Sequence, residues 1–117
     1  MTYVITYNEI VGTHKWGNAP ERYKYLANEH RHVFKIRCWF KVSHADRDIE
    51  INIKQHEIET VIKKEFSSTD EKGAAFGNMS CEMICDYLIE RFGCVCCEVL
   101  EDGFGGAFVR RFGADAM

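Results

Sequence analysis

The chain has 117 residues and a formal net charge of −3, with 15 Lys and Arg against 18 Asp and Glu. That length suits one domain with a real core, and the charge balance offers neither a basic footprint for nucleic acid nor a single-sign tail. One proline, Pro20, and the absence of low-complexity tracts leave no linker in view, so a single domain over residues 1–117 is expected; no apolar run approaches the roughly 18 residues of a membrane span, so no membrane partner is expected.

The first residues, Met1-Thr2-Tyr3-Val4-Ile5-Thr6-Tyr7-Asn8, lack a basic segment and contain polar residues throughout, so no secretory leader is expected and the predicted location is cytoplasmic. Tyr3, Ile5 and Tyr7 alternate with polar neighbours and Ile10-Val11 continue the run, which predicts a first strand ending near Gly12-Thr13-His14. The period is lost from Lys15 to Asn28, where Gly17, Asn18, Ala19 and Pro20 mark a turn and Glu21 to Ala27 suit one or two helical turns. Phe34, Ile36, Cys38, Phe40 and Val42 then share one parity, with Lys35, Arg37 and Lys41 on the other, predicting a long half-buried strand to about Ser43. His44-Ala45-Asp46-Arg47 reads as a hairpin connection, and residues 48–54 alternate again with Ile49, Ile51 and Ile53 inward.

Ile58, Val61, Ile62 and Phe66 follow helical spacing, so residues 55–66 are predicted as an amphipathic helix. A polar, glycine-bearing loop over residues 67–77 leads to a second helix at about 80–91, with the stripe Cys81, Ile84, Cys85 and Leu88, Asn78 or Ser80 as its cap and Gly93 at its end. Residues 95–101 read as a strand, Asp102-Gly103-Phe104-Gly105-Gly106 as a tight turn, residues 107–112 as a final strand, and residues 113–117 as a frayed end. Strands and helices grouped in blocks predict an α+β domain with two helices on one face of an antiparallel sheet, in the order ββααββ.

The chemistry is concentrated where the long strand begins. Residues i and i+2 of a strand point the same way, so His30 and His32 project from one face. Two imidazoles on a stiff strand are two legs of a metal site, and His14, at the end of the first strand, is the natural third. Three neutral histidines with an open fourth position form a catalytic zinc arrangement. The cysteines Cys38, Cys81, Cys85, Cys94, Cys96 and Cys97 are even in number but come without a secretory leader, so buried reduced thiols are expected rather than a disulfide framework. Cys94-Val95-Cys96-Cys97 lacks the spacing of a zinc knuckle, and a thiolate metal module there is the weaker alternative.

Four pieces of the chain together resemble the 6-pyruvoyl-tetrahydropterin synthase family, including the 6-carboxy-tetrahydropterin synthases that feed queuosine and archaeosine synthesis. They are Gly12-Thr13-His14-Lys15; His30-Arg31-His32-Val33-Phe34, with arginine where the family has glycine; Ile51-Asn52-Ile53; and Glu101-Asp102-Gly103-Phe104-Gly105-Gly106-Ala107-Phe108-Val109. The resemblance implies that His14, His30 and His32 bind Zn2+ and that Glu101 anchors a pterin ring, its two oxygens accepting from parallel N–H donors. It implies a zinc-dependent lyase acting on 7,8-dihydroneopterin triphosphate or a related pterin. It also implies a tunnelling-type fold whose sheets close into a barrel in a trimer or hexamer, with sites between subunits.

Two family features are absent. The stretch Tyr23-Lys24-Tyr25-Leu26-Ala27-Asn28-Glu29 holds no cysteine, and residues 63–79 hold no Leu-Asp-His motif. Tyr25, Glu29, His44 and His56 are then the candidates for proton transfer, and a pterin- or purine-binding protein of the same fold without lyase activity is the alternative. His44 also reads as a hairpin residue, His56 as an exposed helix-start residue, and Trp16, Tyr23, Tyr25 and Trp39 as ring-stacking or packing groups.

Overall fold

A computed structural model describes residues 1–67 and 73–111. The architecture is α+β: β1 (Thr2–His14), a kinked 3-10 segment (Glu21–Ala27), β2 (His30–Val42), α1 (Ile51–Glu65), β3 (Ala74–Ala75), α2 (Cys81–Phe92), β4 (Cys96–Glu101) and β5 (Gly105–Arg110). The sheet runs in the order β3-β1-β2-β4-β5 and is mixed, because β3 lies parallel to β1 while every other pairing is antiparallel. The predicted polar loop is described only at its ends, and the expected fraying of residues 113–117 and the end of the last strand at Phe112 lie outside the described residues.

The alternation read in β2 is the alternation observed: Phe34, Ile36, Cys38, Phe40 and Val42 are buried, and they form the core with Ile58 and Ile62 of α1 and Ile84, Cys85 and Leu88 of α2. α1 packs on β1 and α2 on β4 and β5, so one sheet face is covered by helices. The other carries Ile5, 48 % exposed, Phe108, 54 % exposed, and Trp39 edge-on to Phe108. On β1 the buried row is Thr6, Asn8, Ile10, Gly12 and His14, so the alternating Tyr3, Ile5 and Tyr7 face away from the core. Asn8 earns its inward place by donating from Nδ2 to the Gln55 carbonyl of α1 at 3.0 Å.

The strand predicted over residues 48–54 is corrected: α1 starts at Ile51. Three alternate isoleucines are too short a run to decide between periods, and a local cap decides instead. The Glu50 carboxylate accepts from the Asn52 and Ile53 amides at 3.0 and 3.2 Å, satisfying first-turn donors. Ile51 and Ile53 are consequently exposed, at 46 % and 69 %, rather than inward. The second helix matches its prediction, with Ser80 Oγ accepting from the Met83 amide at 3.1 Å. The two-residue β3 was not foreseen. It depends on Gly12, where a Cβ would come within 2.7 Å of the Ala74 carbonyl oxygen.

Candidate metal centre

Register alone brings the three histidines together. His14 pairs directly with His30 across the β1–β2 ladder, Gly12 faces His32, and all three side chains lie on the helix-covered side in line with Phe34. The imidazole centroids are 4.6 Å apart for His14–His30, 5.3 Å for His14–His32 and 5.1 Å for His30–His32, with every pair edge-on. Phe34, fully buried, meets the rings of His14 and His32 edge-on at 5.2 and 5.7 Å and closes the floor. One ligand nitrogen from each ring lies within 4.8 Å of the others, and among the described residues this is the group of His, Cys, Asp and Glu side chains that can hold a metal ion.

Each ring is oriented through its other nitrogen. His14 Nδ1 donates to the Met79 carbonyl at 2.9 Å, His30 Nδ1 to the Asn28 carbonyl at 2.9 Å, and His32 Nδ1 to Asp102 Oδ2 at 2.7 Å. Carbonyl and carboxylate oxygens only accept, so in the neutral imidazoles the proton sits on Nδ1 and Nε2 presents a lone pair. That is the outer-shell arrangement that fixes metal-ligating histidines. His14 Nε2 and His32 Nε2 are buried and have no hydrogen-bond partner. Burial pushes the His14 pKa below the ordinary imidazole value, keeping it neutral and competent as a ligand. The donor set therefore fits a cation that accepts nitrogen ligands.

Asp102 was read only as a turn residue. It stands at φ +56° in the β4–β5 turn, and its Oδ1 accepts the Val33 amide at 2.9 Å while Oδ2 takes His32. The Val33 amide first, and then His32, hold its carboxyl below the usual carboxylate range.

A cavity of about 550 Å³ opens beside the triad, lined by His14, His30, Lys15, Trp16, Cys81 and Glu101 among others. That volume is in the range of small-molecule sites. Glu101 ends β4, and its Oε2 lies 2.9 Å from His14 Nε2 and its Oε1 3.6 Å from His32 Nε2. Cys81, at the first turn of α2, points its Sγ at Glu101 Oε2 over 3.6 Å, and burial, then the Glu101 charge, pushes its thiol pKa up to about 12. Its spacing to Cys85 marks it as a core position of an amphipathic helix, which concealed that it also reaches the cavity.

The residues proposed for proton transfer are not brought to this cavity. Tyr25 is 67 % exposed in the 3-10 segment. Exposed His44 sits after β2 with Nε2 3.6 Å from Asp48 Oδ1, on the wall of a smaller, separate cavity of about 230 Å³, and His56 is exposed on α1. Glu29 is exposed just ahead of β2. Of the aromatic candidates, Trp16 lines the triad's cavity, whereas Trp39 lies on the opposite sheet face. No disulfide joins the six cysteines, all of which are buried. Among the described residues no helix is long and apolar enough to cross a membrane.

Compared with protein-family models and with curated protein sequences, the chain matches none.

Proposed function

We propose that the protein is a zinc-dependent lyase of the pterin-synthase type, acting on 7,8-dihydroneopterin triphosphate or a related pterin. The observation that carries this reading is the convergence of three histidines, each oriented through Nδ1, beside a cavity that His14 and His30 line together with the Glu101 carboxylate. His14, His30 and His32 hold the zinc. Bound there, zinc would supply Lewis acidity to a substrate side-chain oxygen and so make the neighbouring C–H more acidic, the chemistry an elimination of triphosphate with proton loss to water requires. Glu101 accepts from the N–H donors of the heterocycle, Trp16 offers a ring face, and Lys15 offers a positive charge to the phosphates. The ββααββ arrangement expected of the family is supported by β1, β2, α1, α2, β4 and β5, which follow that order when the two-residue β3 and the 3-10 segment are set aside. The uncovered sheet face with Ile5, Trp39 and Phe108 supports assembly into a trimer or hexamer. A cytoplasmic setting suits six buried thiols without disulfides.

A second reading is a pterin- or purine-binding protein of this fold without lyase activity. It is favoured by the absence of Tyr25, His44 and His56 from the residues that line the cavity. Zinc analysis and turnover decide between them. The lyase reading expects about one zinc per chain, lost in His30→Ala, and release of triphosphate from 7,8-dihydroneopterin triphosphate. Binding of that compound without triphosphate release selects the second reading, and wild-type protein purified without zinc and unable to take it up removes both.

A further inference from the structure

We propose that Glu101 is a fourth protein ligand to the cation held by His14, His30 and His32, so that the resting centre is closed by the protein itself. The inference rests on reading the three histidines as a metal centre. Its basis is an electrostatic conflict in the site. His14 Nδ1 is committed as a donor to the Met79 carbonyl, so Nε2 carries a lone pair. That lone pair faces Glu101 Oε2 at 2.9 Å, and the nitrogen has no hydrogen-bond partner. His32 repeats the pattern: Nδ1 is given to Asp102, and Nε2, also without a partner, stands 3.6 Å from Glu101 Oε1. Two electron-rich atoms at such distances repel each other unless a positive charge lies between them.

A shared cation removes the conflict, and the separations of Glu101 from His14 and His32 suit one. With zinc–nitrogen and zinc–oxygen bonds of about 2.0–2.1 Å, neighbouring ligands of a tetrahedral site stand about 3.3 Å apart. The 2.9 Å from Oε2 to His14 Nε2 and the 3.6 Å from Oε1 to His32 Nε2 lie on either side of that value, with each carboxylate oxygen turned to one of the two nitrogens. Cys81 strengthens the assignment, because its S–H is directed at Glu101 Oε2, and a ligating carboxylate is characteristically held by such a donor. The β4–β5 turn contributes twice over: Glu101 reaches the cation directly, and the adjacent Asp102 orients His32. The same carboxylate then serves two acceptor roles in turn, towards the cation in the free protein and towards ring N–H groups once a heterocycle enters.

The test uses the full chain stripped of metal and reloaded with cobalt(II). Cobalt affinity is measured by chelator competition, and the visible spectrum is followed during titration with azide, a probe for an open coordination position. Wild type is expected to show tetrahedral cobalt bands that azide leaves unchanged. Glu101→Gln is expected to bind cobalt about 10- to 100-fold more weakly, with altered bands that azide shifts further. Adding 7,8-dihydroneopterin to the wild type is expected to make it azide-sensitive as well. Glu101→Asp, which keeps the charge and the fold but shortens the reach, is expected to fall between the two. Glu101→Gln with wild-type affinity and spectrum, or a wild-type centre that binds azide without added pterin, overturns the proposal while leaving the three-histidine centre standing. A wild-type chain that takes up no cobalt overturns both.

Discussion

His32 and Asp102 are 70 residues apart in sequence, and their side chains meet at 2.7 Å. Because Asp102 also accepts the Val33 amide at 2.9 Å, the carboxylate fixes both the ring of His32 and the backbone beside it. Asn tolerates the left-handed backbone of residue 102, so Asp102→Asn is expected to leave the turn intact while removing the charge that orients the imidazole. Metal affinity should fall about 10- to 100-fold, as for other outer-shell carboxylates, with the unfolding midpoint of the metal-free protein little changed. Competition titration with a zinc chelator measures the first, and urea denaturation the second.

Metal loading is expected to stabilise the fold, because the ligands come from two strands and are not preorganised when unfolded. Zinc at a hundredfold excess over its dissociation constant should add about 2.7 kcal/mol. Thermal melts with zinc and with chelator should therefore separate clearly in the wild type and coincide in His30→Ala. Equal zinc-induced shifts in the two proteins would falsify the three-histidine centre.

The metal-free protein is expected to lose stability below neutral pH through His14. Burial lowers its folded-state pKa beneath the unfolded value of about 6.5, so below that pH the unfolded chain binds more protons than the folded one. The contribution is complete above about 6.5 and is lost as pH falls from there towards the folded value. Asp102 acts in a separate window: its depressed pKa gives stability present above about 3.9 and lost on further acidification. Urea midpoints with chelator at about pH 7.5 and about pH 5.5 should differ in the wild type, and less so in His14→Gln. A wild-type midpoint unchanged between those two conditions would refute this account.

Gly106 is expected to tolerate no side chain. A Cβ there would lie 1.8 Å from the Val99 carbonyl oxygen and 2.7 Å from Leu100 Cα, both backbone atoms. Gly106→Ala must push β5 from β4, at a cost of about 1–3 kcal/mol by analogy with overpacked cores. Since Glu101 and Asp102 hang from that hairpin, zinc affinity should fall with stability. A variant as stable as wild type in urea would contradict the close approach of these strands.

The β2 core face and the triad were legible because both rest on a period of two: the alternation that buries Phe34 through Val42 also turns His30 and His32 the same way. His14 was legible as the residue that ends the first apolar run, and the antiparallel register seen in the structure sets it opposite His30. The start of α1 was not legible, because Ile49, Ile51 and Ile53 imitate a strand and the deciding contact is a Glu50 cap one turn wide. β3 was illegible because two alanines have no period. The groups that orient the rings were hidden for another reason. Asn28 and Met79 contribute backbone carbonyls, which every residue has, and Asp102-Gly103 is sufficiently explained as a turn.

The ladder between β1 and β2 is built from two 13-residue strands, and the histidines sit at the end that the chain leaves and re-enters through residues 15–29. A slip of one position would carry both β2 imidazoles to the far side of the sheet. A cation bound there would act as a clasp that only the correctly zipped hairpin can close. Assembly of such a centre would proofread the alignment of the longest pairing among the described residues.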